Sequence, residues 1–102
     1  MIRIEFLKSP QGWHGFRAQG HAGYADQGQD IVCAAVSALT QTAVLGLTEV
    51  VGVPCQVVVS EEDGLLECLL PRELPHDQWQ RSQLILGVLF TGLKATEKEY
   101  KR

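Results

Sequence analysis

The sequence offers no cation-rich face, with nine Lys and Arg set against twelve Asp and Glu for a formal charge of −3. Polyanions are held by such a face, so direct binding of nucleic acid is not expected; a mildly acidic surface would suit a basic protein partner instead. The three cysteines, Cys33, Cys55 and Cys68, are odd in number, form no CxxC pair and have no cluster of His beside them. That argues against a disulfide framework and a structural zinc site, and fits a reducing compartment. Neither a metal nor a cofactor is expected. Met1-Ile2-Arg3-Ile4-Glu5-Phe6 carries charges every second residue and lacks the apolar run of a secretory signal, so the expected location is the cytoplasm. The apolar stretch after Asp30 is broken by Ser37, Thr40, Gln41, Thr42, Thr48 and Glu49, which excludes a membrane span as its expected use. Repeats and low-complexity segments are also missing. A chain of 102 residues supports one core and not two, so residues 1–102 are read as a single domain.

What is present is periodicity. Ile2, Ile4 and Phe6 alternate with charged neighbours as in a half-buried strand, Lys8 to Gly12 reads as a turn, and Trp13 to Gly20 returns with Phe16 and Ala18 on one face. Asp30 is a candidate N-cap for a helix reaching about Val51, stopped by Gly52 and Pro54 and carrying Val36, Leu39, Leu47 and Val50 as its core stripe. Cys55, Val57 and Val59 alternate with polar residues, Glu61-Glu62-Asp63-Gly64 turns, and Leu65 to Leu70 returns. If that turn pairs Ser60 with Leu65, Cys55, Val57 and Cys68 share one face, and both thiols are small apolar core residues. Asp77 and Gln80 have capping-box spacing before a second helix to about Lys98, with Leu86, Leu89, Phe90 and Leu93 on one face and Ile85, Val88 and Gly92 on an uncharged flank. The expected fold is therefore an α+β two-layer sandwich in the order strand-strand-helix-strand-strand-helix, an antiparallel four-stranded sheet with both helices on one face.

The stretch from Gly20 to Leu39 reads Gly-His-Ala-Gly-Tyr-Ala-Asp-Gln-Gly-Gln-Asp-Ile-Val-Cys-Ala-Ala-Val-Ser-Ala-Leu, joining a strand end to a helix start. Cys33 is placed in the first turn of that helix, three residues after Asp30, where unpaired backbone N–H groups and the positive end of the helix dipole favour a thiolate. His21 is the candidate base, with Gly20, Ala22 and Gly23 as small neighbours that let the backbone bend. His14 and His76 read as surface histidines. Asp30 is either the N-cap or a carboxylate that orients His21. Ser37, one turn beyond Cys33, either hydrogen-bonds the sulfur or a substrate carbonyl or back-bonds to the carbonyl of Cys33. Tyr24 is either a loop anchor or a substrate contact, and Gly28 closes the connecting loop.

These residues resemble the signature of the ribosomal-processing cysteine protease family, in which Gly-His-Ala, a Tyr, a Gly-x-Asp and Ile-Val-Cys-Ala-Ala-Val-Ser-Ala-Leu follow one another. The resemblance implies a cysteine endopeptidase with His21 and Cys33 as base and nucleophile, and the same two-layer architecture. It implies as substrate the N-terminal extension of the bacterial large-subunit ribosomal protein numbered twenty-seven. It also implies a homodimer through the helices, which would cover their uncharged flanks. The rivals are a non-catalytic dimeric ribosome-assembly binding module, with Gly20 to Asp30 as its binding loop, and a thiol redox sensor built on Cys33.

Overall fold

The computed structural model describes residues 2–20 and 29–100, with the side chains of residues 29, 30 and 100 excepted. Its elements are β1 (Arg3–Ser9), β2 (Gly12–Gln19), α1 (Gln29–Leu45, continued by a π-helical turn over Gly46–Val51), β3 (Gln56–Ser60), β4 (Leu65–Leu69) and α2 (His76–Tyr100). The sheet is antiparallel throughout in the order β1-β2-β4-β3, and its one buried face carries both helices, as expected. Side-chain alternation sends Phe16, Ala18, Cys68 and Leu70 toward the helices, where Ala43 and Leu47 of the first and Leu86 and Leu89 of the second complete the core. On the opposite face Glu5, Arg17 and Glu67 stand in one row across three strands, and Arg17 Nε and Nη2 both donate to Glu67 Oε2, at 2.8 and 2.6 Å.

The first hairpin is tighter than its sequence suggests. Lys8 and Ser9 remain in the strand, and a bulge at Leu7/Lys8 leaves His14 without a partner residue in β1, while its carbonyl accepts the Leu70 N–H at 2.8 Å. His14 is consequently half-buried rather than a surface histidine: its Nε2 hydrogen-bonds Ser9 Oγ at 2.6 Å and its ring packs on Trp79. Next to it, Gln83 of α2 imitates a strand. Its Oε1 accepts from the Trp13 N–H at 2.9 Å and its Nε2 donates to the Trp13 carbonyl at 2.7 Å, which satisfies both backbone polar groups of Trp13. Gly15 allows β2 and β4 to approach, because a Cβ there would meet the Cys68 carbonyl oxygen at a φ of 154° that side chains rarely adopt.

Both helix starts depart from expectation. Helix α1 already includes Gln29, so Asp30 lies in its first turn and is not its cap, and Cys33 becomes the fifth helical residue instead of a first-turn residue. In α2 the Pro75 carbonyl accepts the Trp79 N–H at 3.0 Å, so the helix starts from Pro75, and Asp77 sits in the first turn, where its charge suits the dipole. Pro75 displaces Asp77 because its ring fixes a helical φ and it has no N–H to lose.

At the other end of α1 the π turn changes which side chains face inward. Hydrogen bonds to the fifth residue along bring Val51 over Leu47 and rotate Val50 outward, so Val50, expected in the core stripe, is 81% exposed. The Leu47 carbonyl accepts from both Gly52, at φ 84°, and Val53, which closes the helix. Close approach between the helices uses their glycines: Gly46 lies under Ile85 and Gly92 under Leu39. Ile85 and Gly92 thus face α1, leaving Leu84 and Val88 as the exposed apolar pair on α2.

Residues 31–51 are long and apolar enough, by composition, to cross a membrane, with mean hydropathy 1.7. In this fold their apolar character serves the contact with α2, the core at Ala43 and Leu47, and the groove described next, while Thr40 and Thr48 return their hydroxyls to helix carbonyls.

Candidate active site

Helix α1 does not close over the whole sheet. Between it and the β3 side lies an open, mainly apolar groove of about 590 Å³. One wall is a single stripe of α1, in which Cys33, Val36, Ser37, Thr40, Gln41 and Val44 recur at helical spacing, with Cys33 at its head. Ala18, Val57, Val59 and Leu66 belong to the helix-facing side of the sheet, yet among the described residues no helix covers the last strand: Val57 is 40% and Val59 64% exposed. Gly20, Ser60, Glu61 and Gly64 line it too, and the Gly20 N–H donates to the Gly64 carbonyl at 3.1 Å, tying the end of β2 to the β3–β4 turn.

Cys33 is half-buried and lines this groove; Cys55 and Cys68 do not. The register explains the separation. Ser60 pairs with Leu65 and Val57 with Cys68, as the sequence implies, which buries Cys68 completely. Cys55 lies just before β3 and is only half-buried, because its strand is at the edge. Hydrogen bonding to the Cys55 sulfur and burial push the Cys68 thiol up, while the Cys68 S–H holds the Cys55 thiol below its ordinary value. Neither is arranged as a nucleophile that opens on a ligand.

Ser37, exposed, accepts a hydrogen bond at its Oγ from Gln41 Nε2 at 2.7 Å. Gly20, the last described residue before position 21, has φ 122° and lies at the groove. His21, Ala22, Gly23, Tyr24 and Gly28 fall outside the described residues, as does the side chain of Asp30. Among the described residues, no group of three or more His, Cys, Asp or Glu gathers in a way that could hold a metal ion.

Sequence reasoning missed most of the groove. The wall was readable, since stepping three and four residues from Cys33 yields Val36, Ser37, Thr40, Gln41 and Val44. The floor was not, because the alternation of Val57 and Val59 is the same whether a helix covers them or not.

The family model described as cysteine protease Prp matches residues 1–102. The chain is 31% identical over 102 residues to the ribosomal processing cysteine protease Prp of Bacillus subtilis (strain 168), covering 99% of this chain and 91% of that protein. Its fold is similar to that of the essential ribosomal processing protease Prp from S. aureus in complex with a substrate peptide, with a TM-score of 0.84, 22% identity, and 100% and 93% of the two chains covered. The S. aureus protease with a covalently linked product peptide is similar too, with a TM-score of 0.82, 23% identity and the same coverage, 100% and 93%. A family match over residues 1–102, with a relative 31% identical across 99% of the sequence, shows that this chain belongs to the Prp family of cysteine proteases.

Proposed function

We propose that the protein is the cytoplasmic endopeptidase that removes the N-terminal extension of the bacterial large-subunit ribosomal protein numbered twenty-seven, with Cys33 as nucleophile and His21 as general base. The observation that carries this is that Cys33, alone of the three cysteines, opens on the groove. Relatives with this fold hold a substrate peptide and a covalently linked product peptide, which supports the same use of the groove here. In the reaction His21 takes the thiol proton, Cys33 Sγ bonds to the scissile carbonyl carbon, and the imidazolium returns the proton to the departing amine as the C–N bond breaks. Water, deprotonated by the same imidazole, then attacks the thioester and frees the thiol. The apolar floor favours a substrate presenting apolar side chains beside the scissile bond.

With a peptide spanning the processing site, Cys33→Ala is expected to lower kcat/KM by about 10³ or more and His21→Ala by about 10² or more. Undiminished turnover in Cys33→Ala would end this reading. A homodimer through the helices is part of the proposal, supported by the exposed Leu84 and Val88, one turn apart on α2. Sedimentation of Val88→Glu tests it: the native chain should sediment as a dimer and the variant as a monomer. Ala43 is unsuitable for this test because it is 6% exposed and sits in the core.

A further inference from the structure

Of the described residues that line the groove, Glu61 alone is charged. It begins the β3–β4 turn, whose shape is fixed by the Gly64 N–H donating to the Glu61 carbonyl at 3.2 Å and by Ser60 Oγ donating to Asp63 Oδ2 at 3.1 Å. Asp63 is therefore occupied within the turn. The Glu61 carboxylate makes no ion pair with any described residue. Since the same turn is joined to Gly20 through the Gly64 carbonyl, Glu61 stands where β2 ends and the chain leaves for His21.

A carboxylate on the edge of an apolar groove costs little while water reaches it, and it gains when a cation shares that edge. We propose that Glu61 is a specificity-determining residue that recognises a Lys or Arg side chain of the bound peptide. This rests on the protease reading for the peptide's presence in the groove. The occupant is then a cationic peptide segment whose apolar side chains lie over Val57 and Val59 while its basic side chain reaches Glu61. The chain's charge of −3 favours the encounter with such a segment and disfavours an acidic one.

The test is a substitution scan of the processing-site peptide, placing Lys, norleucine or Glu at each position in turn, with kcat/KM measured for the native enzyme, Glu61→Gln and Glu61→Lys. At one position the native enzyme should prefer Lys over norleucine by about twofold to fivefold, as expected for a partly exposed ion pair, mainly through KM. Glu61→Gln should flatten that ratio, and Glu61→Lys should turn it in favour of Glu. Binding of the same peptides to the Cys33→Ala form should show the same ranking and the same reversal. A ranking identical in the native and Glu61→Lys proteins at every position overturns the proposal. Failure of every peptide to be cleaved would instead count against the protease reading, with the binding series still deciding the role of Glu61.

Discussion

Around Trp13 the sheet and α2 are closed against each other, whereas along Val57 and Val59 the same sheet faces α1 across open space. The closed region holds the ring contacts among the described residues. Phe6, Trp13 and Phe90 are mutual neighbours with centroids 5.4 to 5.6 Å apart, Phe16 lies 6.3 Å from Phe6, and Gln83 bonds both backbone groups of Trp13. Each aromatic pair contributes about 0.5–1.5 kcal/mol beyond its buried area, so this half adds stability that the open half lacks. The open region has valines at a sheet edge, a few neutral polar side chains, a thiol and the carboxylate of Glu61. Leaving those valines uncovered sacrifices some burial and yields a surface on which a peptide can lie. In this account the division of stability from chemistry is spatial.

Substitutions scored for both stability and turnover can break that division. Phe16→Ala, in the closed half at 0% exposure, should cost about 3–5 kcal/mol by denaturant unfolding, a large share of a small domain's stability, with turnover per folded molecule little changed. Gln83→Ala should cost about 1–3 kcal/mol, because it strands the Trp13 N–H and carbonyl. Val59→Thr should do the reverse: stability within about 0.5 kcal/mol of the native protein, but KM raised by up to about fivefold as the peptide loses apolar contact. A Val59→Thr protein that unfolds easily yet cleaves normally would mean that the groove is structural.

Much of this plan was legible in the sequence where local rules govern. The Ser60–Leu65 register followed from a four-residue turn between alternating strands, and it correctly buried Cys68 with Val57 opposite. Helix existence followed from apolar spacing. Helix ends did not: Asp30 and Asp77 are residue types that cap helices, but both belong to the helices themselves, and only the backbone distinguishes a cap from a first-turn position. The turn that exposes Val50 depends on how Leu47 is held by the sheet and α2. The bulge at His14 and the bonding of Trp13 by Gln83, 70 positions away, are revealed by no local pattern. In the groove, the neighbours of Cys33 along α1 were available by counting, while the strand that faces them required the pairing of β2 with β4 and of β4 with β3.

The most direct measurement is where the acyl group goes. Acid-quenching the enzyme during turnover of the processing-site peptide and mapping the adduct by fragmentation mass spectrometry should place a thioester on Cys33, in the open half, with Cys55 and Cys68 unmodified. An acyl group on Cys55, or full turnover with Cys33 never acylated, would contradict the account.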